Sequence, residues 1–151
     1  LDLDEFEIKI WIEMINPADP TDKLPIPLSG RIDAKNRTLT RLIDFKTSSG
    51  RYNAEESRKL MQCRAYPFGW LMKTGKFIPK FDYVILRKGL VREERIEVVN
   101  LEFDMADMLS FYIQVKSILQ KIANREFPRG SSGHQNFCDC FKYEALLDIK
   151  K

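Results

Sequence analysis

Three features of the sequence predict an α/β fold, a mixed central sheet with helices packed against it. Alternation of period two marks strands, spacings of three and four mark helices, and the segments follow one another as β-β-β-α-β-β-α. A length of 151 residues suits one core rather than two, so a single domain over residues 1–151 is expected.

The elements follow in order. In residues 5–14, Phe6, Ile8, Ile10 and Ile12 alternate with Glu5, Glu7, Lys9 and Trp11, which predicts a strand with one buried face. Residues 16–27 hold four of the seven prolines and predict a loop. Pro27 to Asp33 predicts a second strand, Ala34 to Thr38 a polar turn, and Leu39 to Thr47 a third strand ended by Ser48-Ser49-Gly50. Residues 54–74 are rich in helix formers, with Asn53 at the cap position and Pro67 as the point where the helix kinks or divides. Lys80 to Lys88 and Arg95 to Phe103 predict two strands with Gly89 near the turn. Asp104 then caps a helix whose Met105, Met108, Tyr112, Val115, Leu119 and Ile122 form one apolar face. Pro128 ends it, residues 129–137 form a Gly/Ser loop, and Phe137 to Leu147 forms a short closing helix.

Composition narrows the class. The chain is 44% hydrophobic and 31% charged, which excludes a disordered tail and a low-complexity segment. No run of 18 apolar residues is present, so no membrane span is expected. Leu-Asp-Leu-Asp-Glu at the start matches neither a signal nor a transit peptide, and the absent Met suggests that material is missing upstream. Three cysteines argue against a secreted disulfide framework and for an intracellular setting, cytoplasmic or nucleoid-associated. The net charge of +3 gives no bulk sign of nucleic acid or membrane. Residues 51–100, however, hold eleven Lys and Arg against six Asp and Glu, and Arg58, Lys59 and Arg64 fall on one predicted helix from which they could reach phosphates.

Three short motifs carry chemistry. In Asp44-Phe45-Lys46 the carboxylate and the ammonium share one face of a strand, and Phe45 points into the opposite layer. A carboxylate there can hold a hard divalent cation, and the lysine can hold a water or steady a developing negative charge. In Gly30-Arg31-Ile32-Asp33, a hairpin would bring Asp33 across from Asp44, a pairing of like charges that a metal would neutralise. Gln62 and Tyr66, four apart, share a helix face and could contact a phosphate or a base. Taken singly, each motif also fits a plain structural role: a strand-end salt pair, the start of a polar turn and a semi-exposed helix face.

Taken together, Gly-x-x-Asp, Ile43-Asp44-Phe45-Lys46-Thr47 and Gln62-x-x-x-Tyr66 resemble the PD-(D/E)xK nuclease superfamily, and within it the RecB-like branch. The motifs cover about residues 28–70, and the element order extends the likeness through about residue 90. The resemblance implies a restriction-endonuclease-like sheet and a metal-dependent DNA nuclease. It further implies an exonuclease acting in repair, recombination or mobile-element DNA processing on single-stranded or end-bearing DNA, with a helicase or recombination partner. It assigns Asp33 and Asp44 as metal-binding carboxylates, with the backbone carbonyl of Phe45 completing that site. Lys46 becomes the catalytic lysine, and Gln62 and Tyr66 the helix motif that contacts nucleic acid. The cofactor would be Mg²⁺ or Mn²⁺.

The chain departs from this pattern in three places, one of them Pro67, which follows Tyr66 directly and should bend the helix away from the sheet. The family's acidic or His-bearing helix before the first strand is absent, which leaves Glu5 and Glu7 as the nearest acids and Glu7 as the weakest metal-ligand candidate. The tail around Cys138 and Cys140 resembles the cysteine-rich segment that holds an iron–sulfur cluster in many members. With Cys63 the chain has three cysteines, too few for four thiolates, so no cluster is expected. Zinc through Cys138, Cys140 and His134 would lack a fourth ligand. Two other classes stand as alternatives: a catalytically silent nuclease fold serving as a DNA-binding or scaffolding module, and a small-molecule phosphate binder. The second lacks a Gly-x-x-x-x-Gly-Lys loop.

Overall fold

A computed structural model describes residues 2–89 and 95–126. Within them lie β1 (Leu3–Asn16), β2 (Asp19–Asn36), β3 (Arg41–Ser48), α1 (Ala54–Lys59), α2 (Met61–Thr74), β4 (Lys80–Arg87), β5 (Ile96–Glu102) and α3 (Met105–Ala123). The five strands form one mixed sheet in the order β1-β2-β3-β4-β5. Neighbours run antiparallel except β3 and β4, which are parallel and joined by the crossover through α1 and α2. The chain divides into two compact units, Leu1–Ser117 and Ile118–Lys151. The first contains the whole sheet with α1 and α2. Of the second, the described part continues α3 to Ala123. The tail with His134, Cys138, Cys140 and the expected closing helix lies outside the described residues, as does Pro128. Among the described residues no helix is long and apolar enough to cross a membrane.

The core lies between one face of the sheet and α2. Ile8, Ile10, Ile12 and Met14 are buried on β1, as their alternation requires. Tyr66 of α2 packs on Phe81 of β4, and Phe68 stacks against Phe111 and Tyr112 of α3. Gly69 lets α2 approach the sheet, because a Cβ there would sit 2.7 Å from Ile10 Cδ1 and 3.1 Å from its Cγ2. At the far end of the β1–β2 hairpin, Asp22 accepts two 2.8 Å bonds from Lys116, and Tyr112 donates to its carbonyl.

Four expectations need correction. First, residues 19–27 are strand, with only a tight turn between Asn16 and Asp19. Their prolines survive because the pairing shifts register twice: Ile15 pairs with Lys23 and Glu13 with Pro27, so Pro20 and Pro25 fall in bulges where no ladder N–H is needed. Second, the helix over 54–74 divides at Leu60, whose ψ is 136°, and α2 runs unbroken through Pro67. At the break the Cys63 thiol donates to the carbonyls of Leu60 and Ser57, beside the Leu60 N–H that the Ser57 carbonyl also accepts. Third, Phe6 is exposed although it is in phase with Ile8. Glu7 between them has φ 52°, and this left-handed residue breaks the alternation. Fourth, the buried stripe of α3 up to Ser117 is Met108, Phe111 and Tyr112, while Met105 is exposed.

The contact at Gly69 makes a graded prediction. Ala gains about 1 kcal/mol of helix propensity, which offsets part of its overpacking cost of about 1–3 kcal/mol. Val adds bulk with no such gain. Thermal melts should therefore show Gly69→Val well below Gly69→Ala, and Gly69→Ala at or slightly below wild type. Equal melting temperatures for all three would show that α2 does not rest on Ile10.

Candidate active site

The site forms where two strands separate. β3 pairs with β4 along its whole length, from Arg41 to Ser48. It pairs with β2 at only two positions, Ala34 with Ile43 and Lys35 with Leu42. Beyond them β3 has no paired partner on β2, and Glu7, with φ 52°, stands opposite Asp33 between the Phe6–Ala34 and Ile8–Ile32 pairs. The N–H of Phe45 thus loses its strand partner, and Asp33 Oδ2 accepts it at 2.8 Å. In an extended strand the N–H and C=O of one residue point the same way, so the Phe45 carbonyl faces the same fork. Asp33 therefore contacts the Phe45 backbone, one residue along β3 from Asp44, which the hairpin was expected to bring across from it.

Asp44 and Lys46 occupy the β3 face that meets α2. Asp44 is 1% exposed, and its Oδ2 lies 2.7 Å from Lys46 Nζ. Gln62 of α2 joins the groups. Its Oε1 accepts from Lys46 Nζ at 2.8 Å, and its Nε2 donates to Asp44 Oδ1 at 2.9 Å and to the Tyr66 hydroxyl at 2.7 Å. This set fixes the orientation of the amide, since the reversed one would point donors at an ammonium. Below Lys46 lies the ring of Tyr83 from β4, its centroid 5.8 Å from Nζ.

Burial is the largest influence on Asp44 and raises its pKa above the usual carboxylate value. Lys46 opposes this, and the nearby charge of Asp33 adds to it. Tyr66 is also raised, first by burial and then by the two carboxylates. Cys63 is pushed up to about 11 by burial, so it is a neutral thiol rather than a thiolate ligand. Asp44 Oδ2 has its ion pair with Lys46 but no hydrogen bond of good geometry. A buried carboxylate oxygen paired only with the Lys46 ammonium, a second carboxylate that spends one lone pair on Phe45, and the Phe45 carbonyl could offer a hard oxygen donor set. Such a set suits Mg²⁺ or Mn²⁺, which bind through one or two carboxylates and keep several waters. No cluster of three His, Cys, Asp or Glu occurs among the described residues.

The other expected site residues stand apart from this network. Glu7 forms an exposed ion pair with Arg31 at 3.1 Å and does not join the two aspartates. Arg58 is held by Asp107 at 2.8 Å and by the Glu102 carbonyl, over the Phe103 ring, so it fastens α1 to the end of β5 instead of reaching outward. Lys59 pairs with Glu55 and Glu56. Arg64 is half-buried and donates to the Lys59 carbonyl. Gln62 spends its amide on Lys46, Asp44 and Tyr66. Phe45 lies on the opposite face of the sheet and is 43% exposed there, so no closed layer covers it among the described residues. Tyr83 was missed from the sequence. It stands level with Asp44 only through the parallel register of β3 and β4, which no local signal announces.

Comparison with known proteins gives limited company. No family model matches the chain, and no curated protein does. Among solved structures, the crystal structure of SSO0001 aligns with a TM-score of 0.46 and 19% identity, over 77% of this chain and 50% of that one. An alkaline exonuclease from Laribacter hongkongensis aligns with a TM-score of 0.31 and 16% identity, over 79% of this chain and 62% of that one. The chain thus spans half to three-fifths of the length of these two structures.

The raised pKa of Asp44 has a consequence for stability. A carboxyl group whose folded pKa exceeds its unfolded value stabilises the fold most below the unfolded value, and that contribution is lost as pH rises through the folded one. In metal-free protein at pH 7, ionised Asp44 is therefore a net cost. Asp44→Asn should melt at or above wild type at pH 7, each recovered kcal/mol adding about 3 °C. The advantage should shrink as pH falls through the raised Asp44 value and be gone below about 4, where the carboxyl is protonated in both states. A variant much less stable than wild type at pH 7 would show that the Asp44–Lys46 pair holds the fold together.

Proposed function

We propose that the chain is a metal-dependent nuclease domain that hydrolyses DNA phosphodiesters. The observation that carries this reading is the fork at Asp33, Asp44 and Phe45, with Lys46 held beside it by Gln62. The motif resemblance to RecB-like nucleases supports it at the same positions. Asp33, Asp44 and the Phe45 carbonyl would hold Mg²⁺ or Mn²⁺, which supplies a Lewis acid and a bound water that loses its proton near neutral pH. The side chains do the rest. Lys46 keeps an ammonium at the edge of the fork, where it can hold a water or meet the negative charge that builds on the phosphate. Gln62 fixes the direction of that ammonium and of the Asp44 carboxylate. Tyr66 closes the inner wall and completes the amide's bonds. Exonucleolytic action, single-stranded or end-bearing DNA as substrate, a single nuclease domain and a helicase or recombination partner all belong to this proposal.

The test is degradation of labelled DNA, single-stranded and end-bearing duplex, by purified full-length protein with Mg²⁺ and with Mn²⁺. EDTA should abolish it. Asp33→Ala, Asp44→Ala and Lys46→Ala should each cost about 100-fold or more, as expected when a charge-stabilising group is lost. Gln62→Leu should cost less, because it loosens the lysine without removing it. If wild type degrades neither substrate with either metal, the enzyme reading fails. DNA binding without cleavage would then identify a silent nuclease-fold module.

A further inference from the structure

A cavity of about 270 Å³ lies where the chain leaves β3, lined by Arg51, Tyr52, Asn53, Glu56, Ser57 and Leu60. It is separate from the cluster that holds Asp44, but an aromatic path joins the two. The Tyr52 ring leans on Tyr83 with centroids 5.9 Å apart, and Lys46 Nζ lies 5.8 Å from that same Tyr83 ring. One wall of the cavity is therefore one aromatic ring away from the lysine. Tyr52 is half-buried, so part of its ring borders open space. Arg51 beside it is exposed. The Asn53 Oδ1 accepts from Glu55 N–H, which leaves the Asn53 amide group as a donor at the rim. An aromatic wall, a cation and an amide around one small cavity are the chemistry that takes up an unstacked nucleobase and its phosphate.

We infer that this cavity is a nucleobase subsite, in which Tyr52 stacks on a base of a single DNA strand while Arg51 meets its backbone. The inference rests on the nuclease reading and deepens it by naming what holds the strand. The structure makes a specific demand of the substrate. The base must be splayed out of its helix to enter, so single strands and frayed ends are taken and intact duplex interiors are not. It also explains how a chain whose Arg58 and Lys59 are occupied by carboxylates could still grip a polyanion. The grip comes from stacking on Tyr52 and from the exposed Arg51 that lines the same cavity, in place of a basic helix.

The experiment uses the full chain in EDTA and a short single-stranded DNA bearing 2-aminopurine, moved one position at a time. Stacking on tyrosine should quench the fluorescence at one register in wild type, and equally in Tyr52→Phe and Tyr52→Trp. Tyr52→Leu, which keeps an apolar side chain against Tyr83, should lose the quench and weaken binding about tenfold. Arg51→Ala, an exposed change that leaves the core intact, should weaken binding across all sequences and lower the salt dependence by about one counterion. A folded Tyr52→Leu with wild-type affinity and wild-type quenching overturns the subsite. If Tyr52→Leu fails to fold, an unchanged affinity and salt slope in Arg51→Ala overturns it instead. The two readings separate cleanly. Wild-type cleavage with no effect of Tyr52 or Arg51 removes the subsite and leaves the nuclease. Tyr52-dependent quenching without any cleavage leaves the subsite and removes the enzyme. Absence of DNA binding in EDTA together with no cleavage under either metal removes both.

Discussion

Asp44 is an acidic side chain almost wholly withdrawn from water in the middle of a sheet, and the surrounding groups compensate for that burial. A lone carboxylate there would be neutralised or expelled, because removing it from water costs several kcal/mol. The chain answers with an ammonium from two residues along the same strand and an amide from α2. Compensation is incomplete: burial still raises the Asp44 pKa, and Oδ2 lacks a well-formed hydrogen bond. A fold selected for stability alone would place an apolar residue at this position. A site that takes up a hard cation would keep the carboxylate under-satisfied, and this is the trade between stability and activity seen at functional sites.

The fork supplies the second half of the design. Parallel pairing with β4 holds β3 rigid, while the early departure of β2 opens one edge of it. Glu7, in a left-handed conformation, stands opposite Asp33 beside that departure. The break at Leu60 acts similarly on the helical side. It lets α2 start afresh one residue before Gln62, whose amide then reaches Asp44, Lys46 and Tyr66 together.

Much of this was legible in the sequence. Period-two alternation announced β1, Asn53 announced a helix start, and the approach of Asp33 to the Asp44–Lys46 strand end followed from the hairpin between them. What escaped was tertiary in origin. The prolines of 16–27 look like loop until a partner strand offers bulges to hold them. Leu60 is no helix breaker, and nothing local marks the division there. Arg58 and Lys59 were expected to face a polyanion because charge counted along the chain ignores what lies across it. Asp107 is 49 residues away in sequence and 2.8 Å away in space. Tyr83 and Tyr52, which bring aromatic surface next to the lysine, depend on the parallel register and the crossover, neither of which a single sequence displays.

If Asp44 takes part in holding a divalent cation, Mn²⁺ binding followed by electron paramagnetic resonance shows it without recourse to catalysis. The protein should bind the ion in the absence of DNA, more weakly in Asp33→Ala, and not detectably in Asp44→Ala. Retention of wild-type Mn²⁺ affinity in a folded Asp44→Ala protein would contradict it.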